Sequence, residues 1–145
     1  RIMSLQEPDS KMSKSDDNVN AYITLLDLPD TIVRKFKRAV TDSEAVVRYD
    51  VENKAGISNL MSIYSSVTGK ALDQIERDFE GKGYGDFKVA VGEAVADTLR
   101  SIQDRYNELM ASKDYLQDIM KKGAEDASRI AARTIGKVYK KVGLI

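Results

Sequence analysis

The chain has no cysteine and no histidine, only two prolines in 145 residues, and no surplus of charge of either sign. Each shortage removes a class of chemistry. Without cysteine there is neither a disulfide framework nor a thiolate metal site. Without histidine, imidazole acid–base catalysis and imidazole metal ligation are excluded within this chain. Basic and acidic residues number 23 each. That balance argues against a protein that coats a bulk polyanion and leaves room for local charged faces only. No run approaches the roughly 18 apolar residues of a membrane span. No basic segment followed by an apolar one marks a secretory signal. These absences predict a soluble, cytoplasmic protein with no membrane partner. The chain opens at Arg1 inside an apolar run, Ile2-Met3-Ser4-Leu5, and is expected to be a fragment of a longer protein.

With 42% hydrophobic residues, the chain can bury a real core in one ordinary domain. Arg1–Leu5 reads as the end of a strand, and Gln6–Asn18 as a polar loop. Ala21–Leu26 is rich in β-formers yet also fits the start of a helix, and periodicity does not decide. From Leu28 the pattern turns helical. Asp27 is the expected N-cap, with Pro29 and Asp30 in the first turn. Ile32, Val33, Phe36, Ala39 and Val40 form one stripe, and a stop is expected near Thr41-Asp42-Ser43. Residues 44–56 read as a polar connection with a short extended piece at 46–49.

A second helix is expected over Ser58–Val67, ending at Thr68-Gly69. A short one carries Leu72, Ile75 and Phe79 and closes at Gly81. A long one runs from about Asp86 to Ala111 with Phe87, Val91, Val95, Leu99, Ile102, Tyr106 and Met110 on one stripe. The last begins near Ser112 and ends at Gly143, with Leu116, Ile119, Met120, Ala127, Ile130, Ala131, Ile135, Val138 and Val142 on its stripe. All these stripes are read as core. The expected fold is mainly α: a helical bundle preceded by a short strand–loop remnant.

One segment carries chemistry. Lys11-Met12-Ser13-Lys14-Ser15 sets two lysines three apart among two hydroxyls, in a polar loop. Ammonium groups and hydroxyls gathered on a mobile loop suit a polyphosphate, because ionised donors bond phosphate oxygens strongly. When a carboxylate attacks an α-phosphate, negative charge grows on the bridging and leaving oxygens. Cations placed there stabilise the transition state more than the ground state. Lys11 and Lys14 suit that task as point charges on long stems. Local charge does not help this reading, since Glu7, Asp9, Asp16 and Asp17 outnumber the two lysines.

Lys11–Ser15 reads letter for letter as the KMSKS signature of class I aminoacyl-tRNA synthetases. The run RIMSL before it, KMSKSDDN itself, and AVTDSE, RYD at 48–50, GISNLMSIYSSVTGK and EGKGYGDFK downstream resemble the bacterial tryptophanyl-tRNA synthetase family along essentially the whole chain. Many members have proline where Asp17 stands. The signature identifies only the class; the downstream blocks point to the tryptophan rather than the tyrosine branch. The resemblance implies activation of tryptophan by ATP to tryptophanyl-adenylate and transfer to tRNA. It implies that Lys11 and Lys14 act in catalysis, that Lys11, Met12, Ser13, Lys14 and Ser15 contact ATP, and that Ile2 lies beside the adenine. It implies ATP with its own Mg2+ and no protein metal site in this chain, a tRNA partner, and homodimers of the full-length enzyme. It places residues 1–26 at the end of a Rossmann-like catalytic domain and residues 27–145 in a helical C-terminal segment of the anticodon-binding type. A histidine-bearing HIGH-type motif has no counterpart here, so the chain alone is expected to be inactive.

Two basic clusters are candidates for tRNA contact. Arg34-Lys35-Phe36-Lys37-Arg38 packs four cations into five residues near a helix C-terminus, where cations also simply complement the helix dipole. Arg129, Arg133, Lys137 and Lys140 recur at helical spacing; such a ridge meets RNA phosphates or docks on the catalytic half. The glycine-rich run Gly81–Gly85 lacks the preceding strand and spacing of a Walker A loop and reads as a tight helix–helix turn anchored by Tyr84 and Phe87. The alternatives to a tryptophan enzyme are a tyrosyl-tRNA synthetase fragment, a free-standing helical RNA-binding module, and a helical interaction or dimerisation module.

Overall fold

A computed structural model describes residues 1–145. It contains five helices and no strand: α1 (Pro29–Lys37), α2 (Ala55–Thr68), α3 (Leu72–Asp78), α4 (Tyr84–Ala111) and α5 (Lys113–Val142). The mainly helical fold is as expected. The strand expected over Arg1–Leu5 reduces to a single antiparallel bridge between Met3 and Lys11. Ala21–Leu26 is neither strand nor helix. The chain divides into two compact units, Arg1–Gln103 and Asp104–Ile145.

The core of the first unit gathers Leu5, Ile32, Phe36, Ile57, Leu60, Met61, Ile75, Phe87 and Val91, all essentially without solvent contact. α2 is buried around its first two turns, in keeping with a sequence that carries no charged residue. At its end Gly69 adopts a left-handed φ of 73° and its N–H bonds the Ser65 carbonyl, a glycine C-cap. Tyr64, Phe79 and Phe87 meet edge-on with centroids 4.8–5.9 Å apart and tie α2 to α4 and to the residue that caps α3. The run Gly81–Gly85 makes the turn into α4, with Tyr84 and Phe87 buried as expected and the Lys82 ammonium donating to the Asp78 carbonyl. Two glycines are places of close approach. A Cβ at Gly92 would stand 2.8 Å from the Val33 Cα, and one at Gly56 would collide with the Val40 carbonyl oxygen.

Several local expectations need correction. The N-cap of α1 is Leu28, with no side-chain capping bond, not Asp27. Asp27 instead accepts from Thr24 Oγ1 at 2.7 Å and pairs with Lys35 Nζ at 2.6 Å, so its carboxylate is spent on a loop and a buried cation. α1 stops at Lys37 rather than near Thr41. The chain leaves it so that the Val40 N–H can bond the Leu5 carbonyl at 2.8 Å, leaving the Val40 side chain exposed. α2 begins at Ala55 and α4 at Tyr84, each a little earlier than the periodicity suggested.

The second unit holds the end of α4 and all of α5. Ser112 forms the bend, its N–H bonding the Leu109 carbonyl at 3.0 Å. α5 ends on Gly143 in the left-handed region, φ 74°. No residue of α5 is buried. Ile119, Met120, Ile130, Ile135, Val138 and Val142 are exposed, as are Tyr106 and Met110 near the end of α4. The stripe of the last helix, read as core, is therefore a surface in this chain. The physical reason is that an amphipathic pattern records an apolar face but not what covers it.

Candidate functional site

The KMSKS segment leaves a small hairpin. Ile2–Ser4 runs antiparallel to Ser10–Met12: the Ser4 N–H bonds the Ser10 carbonyl at 2.8 Å and the Met12 N–H bonds the Ile2 carbonyl at 3.2 Å. The hairpin is fixed from behind. Leu5 is buried, its N–H bonds the Ala21 carbonyl at 2.9 Å, and its carbonyl takes the Val40 N–H. The Ser4 hydroxyl oxygen accepts the N–H groups of Gln6 and Glu7, each at 3.2 Å, which shapes the turn that reverses the chain. Gln6 donates to the Arg38 carbonyl at 2.9 Å and ties the turn to the C-terminus of α1.

Met12 is half-buried and packs against the core. Side chains alternate along extended backbone, so an inward Met12 sends Lys11 and Ser13 outward. Beyond Met12 the chain turns, with the Asp16 N–H bonding the Ser13 carbonyl at 3.3 Å and the Ser15 N–H reaching Ser13 Oγ at 3.2 Å. Lys11, Ser13, Lys14 and Ser15 are all exposed, and neither lysine has an ion-pair partner. Of the acidic neighbours, Asp16 is engaged locally. Asp16 accepts the Asn18 N–H at 2.8 Å, and Asn18 in turn accepts the Asn20 N–H at 3.0 Å, two successive Asx turns. No carboxylate of the segment forms an ion pair with Lys11 or Lys14. Ile2, also exposed, is brought to the loop through its carbonyl bond to Met12. Two ammonium groups without ion-pair partners and two exposed hydroxyls, on a turn whose base packs against the core, make an arrangement that fits a polyphosphate.

The first basic cluster is smaller than it reads. Lys35 is buried, donates to the Tyr22 carbonyl at 3.0 Å and pairs with Asp27, so only Arg34, Lys37 and Arg38 face solvent. These three, with Asp30, Val33 and Glu93, line a cleft of about 530 Å3. Burial works to raise the Asp27 carboxyl, but the bonds from Lys35 and Thr24 outweigh it and hold it below its ordinary value. On α5, Arg133, Lys137 and Lys140 are exposed, and Arg129 pairs with Asp126 at 2.9 Å.

Two structural centres were not anticipated. Lys54, at the N-cap of α2, is wholly buried with its ammonium 2.8 Å from Asp42 Oδ1 and 2.9 Å from Glu44 Oε2. The Tyr84 hydroxyl donates to both Asp42 oxygens within 2.7–2.8 Å. Burial would raise the Asp42 carboxyl, yet the bonds from Lys54, Tyr84 and the Glu44 N–H prevail and pull it down to about 2. Burial would lower the Lys54 ammonium, and its bonds to Asp42 and Glu44 instead raise it. Ala45, at φ 59°, is the one non-glycine residue in the left-handed region, and it follows Glu44 directly. The other missed residue is Asn59, buried on α2, whose side chain holds the backbone of Met3. Its signal in the sequence was a lone amide among Ile57, Leu60 and Met61; for Lys54 there was none.

The exposed Lys11–Ser15 turn stands on a mainly helical body. The family described as class I tRNA synthetases (W and Y) matches residues 1–100, and the chain belongs to that family. Within it the chain is similar to the tryptophan–tRNA ligases of Bacillus anthracis and Oceanobacillus iheyensis, each 54% identical over 144 residues, and to that of Halalkalibacterium halodurans at 48%. These matches cover 99% of the chain but only 43–44% of the relatives, so the chain spans less than half their length. The crystal structure of tryptophanyl-tRNA synthetase from Mycoplasma pneumoniae is similar over 74% of this chain and 35% of its own, with 32% identity and a TM-score of 0.68.

Proposed function

We propose that this chain is the signature-loop and helical segment of a tryptophan–tRNA ligase, and that the parent enzyme uses ATP to form tryptophanyl-adenylate and passes tryptophan to its tRNA. The observation that carries the reading is the exposed Lys11–Ser15 turn, with both ammonium groups unpaired, in a chain 54% identical to tryptophan–tRNA ligases. The identity favours tryptophan over tyrosine as the amino acid.

In this reading Lys11 and Lys14 reach the triphosphate and stabilise charge that grows on the leaving pyrophosphate oxygens. Ser13 and Ser15 donate hydroxyl protons to phosphate oxygens, and Met12 anchors the turn so that only its outer half moves. Ile2 borders the adenine. Mg2+ arrives with ATP. A turn tethered at Met12 and free beyond it opens to release pyrophosphate and closes on the next ATP. Residues 1–26 close the catalytic domain and 27–145 form the helical C-terminal segment, whose exposed cations on α1 and α5 face tRNA phosphates. The parent works as a homodimer in the cytoplasm; no helix of this chain is long and apolar enough to cross a membrane.

The test is Lys14→Ala in the intact enzyme. Adenylate formation measured before the steady state should slow by roughly 10²–10³-fold, the cost of removing one donor aimed at developing charge. A rate within about threefold of wild type, a small fraction of that cost, defeats the assignment.

A further inference from the structure

The bridge between Met3 and Lys11 is the wide kind of antiparallel pair, in which the flanking residues supply the hydrogen bonds. Here those are the Ser4 N–H to Ser10 and the Met12 N–H to Ile2. The N–H and C=O of Met3 itself therefore point away from the hairpin, toward the place a third strand would occupy. No strand lies there. The side-chain amide of Asn59 takes that place: Oδ1 accepts the Met3 N–H at 3.0 Å and Nδ2 donates to the Met3 carbonyl at 2.9 Å. Asn59 is 6% exposed and stands on α2 between buried Ser58 and Leu60. A primary amide can satisfy both groups at once. A carboxylate accepts but cannot donate, and a methyl group does neither.

We propose that Asn59 is a positioning residue for the signature loop: by standing in for a missing strand it fixes Met3, and through the bridge it fixes where the Lys11 ammonium starts its reach. This rests on the reading that the loop handles ATP. The link is short. Met3 is opposite Lys11, and no other side chain is hydrogen-bonded to the Met3 backbone. α2 is a buried element, so beside the backbone bonds of Leu5 to Ala21 and Val40 the hairpin has a direct side-chain tie to the helical core.

The experiment uses the intact synthetase that carries this chain, with Asn59→Asp and Asn59→Ala beside Lys14→Ala. Both Asn59 variants should unfold cooperatively, while adenylate formation at saturating ATP slows about 10- to 100-fold, the scale of a misplaced catalytic group. The KM for ATP should move by less than about threefold, because the lost geometry acts in the transition state. Hydrogen exchange across residues 2–12 should quicken without change in α2. Asn59→Asp keeps the acceptor for the Met3 N–H but sets a carboxylate oxygen against the Met3 carbonyl, so it should lose protection at least as far as Asn59→Ala. Wild-type activation in both Asn59 variants beside a slow Lys14→Ala rejects the positioning role alone. Wild-type activation in Lys14→Ala rejects the ATP reading beneath it. A loss confined to KM, or failure of both Asn59 variants to fold, also overturns the inference, since either assigns Asn59 to binding or to the fold at large.

Discussion

Lys54→Ala probes the buried ion pair that joins α2 to the segment before it. The wild-type ammonium has no solvent exposure, while the side chains of Asp42 and Glu44 are 20% and 59% exposed. The bond to Glu44 is therefore worth little, as for surface pairs in general. The bond to Asp42 is not: together with Tyr84 and the Glu44 N–H it displaces that carboxyl from 3.8 to about 2, roughly 2 kcal/mol shared among the three donors. Truncation also strands a partly buried carboxylate and empties the space over the Tyr84 ring, where the ammonium sits 5.6 Å from the centroid. We expect a loss of about 3 kcal/mol, the lower end for breaking a buried pair. The assay is urea denaturation of the chain at neutral pH, followed by helical circular dichroism. The pH dependence has a definite sign. The folded-state pKa of Asp42 is depressed, so the unfolded chain binds the proton more readily. The contribution is present above 3.8 and is lost as pH falls from there toward 2. Asp42→Asn should flatten the stability curve in that window, and it should couple to Lys54→Ala in a double-mutant cycle by about 1 kcal/mol. A Lys54→Ala loss below about 1 kcal/mol, typical of an exposed pair, would refute the argument that this cation is buried and paired.

Two further predictions concern packing. Gly56→Ala drives a Cβ into the Val40 carbonyl, where backbone must move, so a loss of about 2–3 kcal/mol is expected in the same urea assay; an unchanged midpoint would mean that α2 and residues 40–41 do not touch. Ile130→Ser on α5, where the isoleucine is 65% exposed, should change the stability of this chain by no more than about 0.5 kcal/mol. A loss of 2 kcal/mol or more, on the scale of a buried truncation, would show that the stripe is covered after all.

The sequence determined the number, type and rough limits of the helices, because apolar periodicity and the stops at Gly69 and Gly143 are local properties. It also determined which charges and donors the Lys11–Ser15 turn holds, because two lysines and two hydroxyls carry them wherever the chain goes. What it left open was decided by contacts between distant residues. Asp27 has the chemistry of an N-cap and becomes the partner of Lys35 eight residues on. Lys35 belongs to a basic run and ends inside the protein, and Lys54 in a polar connection becomes the most buried cation of the chain. Asn59 meets Met3 across 56 residues, a pairing that no local pattern encodes. The stripe on α5 shows the same limit from the other side: periodicity reports that a face is apolar, and only the tertiary structure decides whether anything packs on it. A helix follows from near neighbours, whereas the fate of a charge or an apolar face depends on which partners the fold brings within bonding distance.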